Sequence, residues 1–182
     1  MRRVVFAALL PLFTLSVFAE PNEVDRLANN IESEVINWRH HLHEYPELSN
    51  REFNTAEYVA RHLRSLNLEV QTGVAKTGVV AILDSGRPGP VVALRADMDG
   101  LPVPEENDLP WRSTQRGEYN GNDVPVMHAC GHDTHMAMLM GAASVLTSMK
   151  DKLHGKVKFI FQPAEEGAPA GEKGGAEVMV QE

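Results

Sequence analysis

The chain is poor in cysteine, in positive charge and in aromatic residues. One cysteine in 182 residues, Cys130, excludes an internal disulfide. It also excludes a structural zinc site built on cysteine pairs. Seventeen Lys and Arg stand against 25 Asp and Glu, a formal net charge of −8 at pH 7. A basic face for a phosphate backbone is therefore missing, which excludes nucleic acid as a partner. Past residue 19 no apolar run is long enough to span a bilayer. Gly171, Gly174 and Gly175 have neither the spacing nor the position of a dinucleotide fingerprint. No serine stands out as a nucleophile. What is present is an ordinary globular composition, 43% hydrophobic and 23% charged, which argues against disorder.

The first residues read as a leader. Arg2 and Arg3 precede an apolar run, Val4 to Ala19, that ends in Val17-Phe18-Ala19. That pattern is a secretory signal peptide, residues 1–19, cleaved after Ala19. The mature protein, residues 20–182, is then expected to be exported, to a periplasm or to the outside, with no membrane association after cleavage.

Periodicity predicts a helix from Glu23 to about Glu44, ended by Pro46. Ser49 with Glu52 reads as a capping box opening a second helix that runs to about Asn67. Three strand-like runs follow, Leu68–Thr72, Val79–Leu83 and Val91–Leu94. Residues 100–127 are rich in Pro and Gly and read as loop. Thr134 to about Lys150 reads as a helix, Lys156–Gln162 as a strand with Val157, Phe159 and Phe161 on one face, and Ala176–Glu182 as the start of another helix. This order predicts an α/β fold, a central mixed sheet flanked by helices.

Three clusters carry chemistry. Arg95 to Pro102 follows an apolar strand and holds Asp97 and Asp99, at the strand end where open α/β sheets bind ligands. Met127 to His135 packs His128, Cys130, His132, Asp133 and His135 ahead of a helix. Thiolate, imidazole and carboxylate are ligands for zinc and its first-row neighbours, and Gly131 lets the backbone turn between Cys130 and His132. Phe161 to Gly167 holds Glu165 and Glu166 at another strand end. Adjacent carboxylates point different ways, so one can ligate metal while the other works as a base. Together these favour metal-assisted hydrolysis over covalent catalysis. Helical spacing puts His40 and His43 on one face; packing or capping near Pro46 is the favoured reading for His40, His41 and His43, with a role near the site as the alternative, and His62 and His154 read as surface residues.

These stretches, with Trp38–Ser49, resemble the aminoacylase/carboxypeptidase family of two-metal metallopeptidases. The likeness is to its amidohydrolase branch of hippurate, auxin-conjugate and N-acyl-amino-acid hydrolases, and it runs over residues 24–182. It implies a zinc-peptidase-like catalytic domain. It implies Cys130, His132 and Glu166 as metal ligands and Glu165 as general base on the attacking water. The wider family has a His-x-Asp-x-x-Pro motif where this chain has Asp97-x-Asp99-x-x-Pro102, so Asp97 and Asp99 are taken as supporting residues, with Asp133 and His135. The cofactor implied is two divalent ions per complete site, Zn, Mn, Co or Ni. The substrate implied is a small N-acyl or N-aroyl amino acid.

Members of that branch are much longer, with a lid domain and further histidine ligands downstream. The expectation is therefore a truncated N-terminal part without the lid, inactive by itself, with unpaired sheet edges. A homodimer would need the lid. A non-catalytic metal-binding or interaction remnant, and a dipeptidase or carboxypeptidase of the same superfamily, remain as alternatives.

Overall fold

The computed structural model describes residues 22–182, so the leader expected at 1–19 lies outside the described residues. Two helices open the fold, α1 (Glu23–Asn30) and α2 (Glu32–Glu44). Asn22 caps α1: its side chain accepts from the Asp25 N–H at 3.0 Å while its own N–H donates to the Asp25 carboxylate. The single helix expected over this stretch is broken at Ile31, which has φ −112° and ψ 8°. Asn29 and Asn30 are poor helix formers, and the break frees α2 to lay Val35, Trp38 and Leu42 on the core. The helix stops at Glu44 because Tyr45 precedes Pro46, which bars it from helical geometry.

The capping box expected at Ser49 and Glu52 is absent. Helix α3 (Phe53–Ser65) takes no side-chain cap from Glu52. Glu47 caps it instead, accepting from the N–H groups of Asn54 and Thr55 at 3.3 and 2.8 Å. Ser49 and Glu52 are buried and bonded elsewhere, so tertiary demand overrode the local motif.

Strands β1 (Glu69–Val74), β2 (Gly78–Asp84), β3 (Val91–Asp97) and β6 (Lys156–Gln162) form one mixed sheet in the order β1-β2-β6-β3. β6 is antiparallel to β2 and parallel to β3. Its Phe159 and Phe161 are paired with Ala81 and Val79 on one side and with Leu94 and Ala96 on the other. This row faces Val59, Ala60 and Leu63 of α3 and Met136, Leu139, Met140 and Ala143 of α4 (His132–Ser148), which together make the core. β3 is an outer strand, and Val91 at its start is 64% exposed.

The stretch 100–127, expected as loop, contains a hairpin, β4 (Arg116–Tyr119) with β5 (Asn122–Pro125). Asn120 and Gly121 at its tip have φ 51° and 78°, the pair of left-handed residues that an Asn-Gly turn supplies. No helix among the described residues is long and apolar enough to cross a membrane.

The loop 167–175 ahead of α5 (Gly175–Gln181) is fastened through Glu172. Its carboxylate takes Arg51 at 2.7 Å, Lys76 at 3.0 Å and the Asn50 amide at 3.0 Å. Arg51 above all, then Lys76, hold this carboxyl at about 2, against an ordinary 4.5. A carboxyl lowered on folding adds stability above its unfolded value and loses it as pH falls through its folded value. Glu172→Gln is therefore expected to lower the midpoint of thermal unfolding at pH 7. The difference should shrink between 4.5 and about 2, and a difference that persisted at pH 2 would show that charge is not what fastens the loop.

Candidate metal centre

Backbone hydrogen bonds gather the motifs before any side chain is considered. Gly100, just past β3, donates to the Glu47 carbonyl at 2.8 Å, and Leu101 and Met127 exchange hydrogen bonds at 2.8 and 3.0 Å. The loop after α2, the loop after β3 and the loop before α4 thus lie side by side. β6 delivers Glu165 and Glu166 next to β3 because the two strands are parallel neighbours.

Asp99 sits at the centre of this gathering and is almost fully buried. Its Oδ1 accepts from the Glu165 N–H and its Oδ2 from the Glu166 N–H, both at 3.0 Å. Ser49 Oγ donates to Oδ2 at 2.6 Å. Its backbone carbonyl accepts from His132 Nδ1 at 2.8 Å, which leaves Nε2 of that ring as the free lone pair. Burial works to raise the Asp99 carboxyl, but His132, Ser49 and the two N–H donors outweigh it and the net direction is down.

Glu52 makes a second buried anchor. It accepts from Thr77 Oγ1 at 2.6 Å and from the Ala164 N–H at 2.8 Å. Burial, foremost, raises its carboxyl. Ala164 has φ 48°, a left-handed conformation costly for a residue with a Cβ, and the Glu52 bond holds it there. That turn aims the next two residues, Glu165 and Glu166, at His132.

Cys130, His132 and Glu166 offer ligand atoms within 4.8 Å of one another, and so do Asp97, His132 and His135. Gly131 lies between the first two with φ 110°, the turn that residue was expected to permit. His132 Nε2 is 3.6 Å from Glu165 Oε2, 3.8 Å from Glu166 Oε1 and 4.0 Å from Asp97 Oδ2. Glu166 Oε1 is buried without a hydrogen-bond partner. An orphaned carboxylate oxygen beside an imidazole and a thiol is what a divalent cation would satisfy, so these residues fit a metal.

The electrostatics agree. Burial opposes protonation of His132, yet Asp99, then Asp97, raise its pKa to about 9. The Cys130 thiol is raised chiefly by Glu166. An acid-rich pocket that holds a proton this firmly is one that favours positive charge.

Asp133 is buried on the far side of this helix start. Arg39 Nε lies 2.9 Å from its Oδ2 and His43 Nδ1 2.8 Å from the same oxygen. His43 Nε2 is 2.8 Å from Glu105, which also accepts from the Ser113 N–H. His43 is 3% exposed and takes the alternative reading, a place near the site, rather than packing or capping near Pro46. It bridges α4 to the loop over Glu105, a long-range pairing that spacing could not reveal. Packing does describe its neighbours, since His40 stacks on Trp111 and His41 on Tyr58. His62, expected on the surface, lies half-buried between Trp38 and the Met140 carbonyl of α4. His128 is buried with both ring nitrogens unpartnered, and burial pushes it down to about 4.

A groove of about 650 Å³ lies between α1, α2 and α4 and is lined by apolar residues such as Ile31, Val35 and Met138. None of the site residues lines it.

The comparisons with known proteins bear on this geometry. Residues 93–182 match the model of peptidase family M20/M25/M40. The chain is 48% identical over 162 residues to thermostable carboxypeptidase 1 of Saccharolobus solfataricus, covering 87% of this chain and 38% of that protein. It is 45% identical over 159 residues to the N-acyl-L-amino acid amidohydrolase of Geobacillus stearothermophilus, covering 87% of this chain and 40% of that protein. A solved Bacillus subtilis protein described as a dinuclear metal-binding peptidase of family M20 superposes with a TM-score of 0.68 at 41% identity, over 76% of this chain and 36% of that one. The resemblance carried by the four motifs, and the mixed-sheet catalytic-domain fold it implied, are borne out. The chain spans about two fifths of the length of these curated relatives.

Removing the Asp99 side chain would strand the buried Ser49 hydroxyl and leave the part-buried Glu165 and Glu166 N–H groups without their acceptor. Asp99→Ala is expected to cost about 1–3 kcal/mol in urea unfolding, the range for one abandoned buried group. A loss below about 1 kcal/mol would mean that this carboxylate does not organise the site.

Proposed function

Residues 93–182 of this chain are an M20/M25/M40 peptidase segment, and on that premise we propose that the protein hydrolyses the amide bond of N-acyl or N-aroyl amino acids with the help of divalent metal. The observation that carries the reading is the orphaned Glu166 oxygen facing His132, with Cys130 completing the set and Glu165 alongside. Amidohydrolase and carboxypeptidase relatives support the reaction class. In this reading Cys130, His132 and Glu166 hold a Zn, Mn, Co or Ni ion. When bound, such an ion supplies Lewis acidity toward a carbonyl oxygen and a lower pKa for water.

The chain's own residues do the rest. Glu165 is half exposed, so its carboxylate can reach a water and a substrate from the open side of the site. It takes a proton from the attacking water as the carbonyl carbon is struck, and then gives that proton to the leaving amine nitrogen. Asp99 holds the Glu165 and Glu166 backbone and the His132 tautomer, so these groups meet the substrate in one geometry. Asp97, held through Oδ1 by Arg95, keeps its other oxygen toward His132 and His135. Asp133 fixes the start of α4 from beneath.

A second reading, a carboxypeptidase acting on peptides, is favoured by the 48% identical relative. Rates on N-acyl amino acids set against rates on free peptides separate the two. Export belongs to the same proposal, supported by the Arg2-Arg3 and Val4–Ala19 pattern. An N-terminal sequence of the native protein that began before Ala19 would refute it.

Glu165→Gln, made in the protein as its native source produces it, is expected to lower kcat by about two to four orders of magnitude. Metal content and the folded spectrum should not change. Retained turnover at normal metal content would remove Glu165 from the mechanism.

A further inference from the structure

The strand register assigns two faces to the sheet. Phe159 and Phe161 of β6 belong to the core with α3 and α4, so Lys158 and Ile160, which alternate with them, point to the opposite face. Paired residues share a face, which places Ile82 and Ala93 on either side of Lys158, and Val80 beside Ile160. Val80, Ile82 and Ile160 are half-buried there and Ala93 is exposed. A parallel pair such as β3 with β6 is ordinarily covered on both faces. α5 reaches this side at Gly78, where an added Cβ would come within 2.9 Å of Met179, and that lies beyond the end of the apolar stripe. Lys158 stands in the middle of the stripe, half-buried and without an ion pair among the described residues.

A second apolar surface is the groove between α1, α2 and α4. α1 buries none of its residues, and Val24, Ile36 and Met138 at the groove are about half exposed. Glu32, at the start of α2, lines the same groove and also makes no ion pair among the described residues.

We infer that a second copy of this chain covers each surface: the α1–α2 face of one copy lies on the open sheet face of the next, with Glu32 against Lys158. The inference stands apart from the metal site and from the proposed reaction.

The two surfaces match in chemistry and in length. Both are apolar, each carries one charge left unpaired within its own copy, and the signs are opposite. α2, at 13 residues, is about 20 Å long, and a seven-residue strand such as β6 spans about 23 Å. A helix layer laid on a sheet face is how α/β folds bury such a face. With a net charge of −8 the copies repel in general, so a contact must bring an unpaired cation to an acidic spot. The two surfaces differ, so the contact is heterologous: it does not close a dimer, and copies add head to tail.

The test is sedimentation velocity and light scattering of the 182-residue chain over a range of concentrations. The expected weight-average mass climbs past that of two chains without a plateau. Lys158→Glu and Glu32→Lys, each alone, set like charges against each other and should weaken association by about tenfold or more. An equal mixture of these two variants should associate again, because each then offers the charge the other lacks. Ile36→Gln, at an exposed position of α2 that leaves the core untouched, should also lose association, and it serves if Lys158→Glu does not fold. Circular dichroism of each variant checks the fold. A monomer at all concentrations, a closed dimer, or association indifferent to residues 32 and 158 would overturn the inference. Clumping through the apolar leader falls under the last of these, since it would ignore both charges.

Discussion

One buried carboxylate organises the site. Asp99 touches four separate segments: the loop after α2 through Ser49, its own loop after β3, the start of α4 through His132, and the loop after β6 through two backbone N–H groups. A buried charge is tolerated only when donors surround it. The donors that surround this one belong to the residues that carry the chemistry. Satisfying a single carboxylate therefore places Glu165, Glu166 and His132 relative to one another. Glu52 repeats the device one step outward, with Thr77 and the Ala164 N–H. Its bond holds the left-handed turn from which the two glutamates emerge.

The charge balance of the pocket follows from this arrangement. Asp97, Asp99, Glu165 and Glu166 all approach His132, and among the described residues Arg95 is the cation that answers Asp97. Without a bound ion the imidazole keeps a proton up to about 9, and the Cys130 thiol is held protonated by Glu166. A divalent cation would replace those protons and satisfy the free oxygen of Glu166. The pocket's chemistry and its geometry thus point to the same kind of guest.

Some of this was legible in the chain order. The strand Lys156–Gln162 could be read with its bounds, because Val157, Phe159 and Phe161 alternate between two turn segments. Helix α4 was legible from Met136, Leu139 and Met140 at helical spacing. The ligand types at Cys130, His132 and Glu166 were legible because they stand close in sequence or at strand ends. The hairpin at Asn120-Gly121 carried its signal openly, but the Pro and Gly around it masked the short strands. The break at Ile31 was foreshadowed only by a pair of asparagines.

What the sequence determined by itself is the set of elements and the kinds of ligand atoms, since both follow from local spacing and side-chain chemistry. What only the tertiary structure decided is which polar side chains serve which partner. Ser49 and Glu52 have the spacing of a helix cap, yet each is drawn to a buried group far along the chain, and Glu47 caps the helix in their place. His43 sits among three histidines with no local mark to distinguish it, yet it alone of the three bridges Asp133 and Glu105. The physical reason is the cost of burying an unsatisfied polar group, which depends on what the fold brings near and outweighs the modest gain of a local cap.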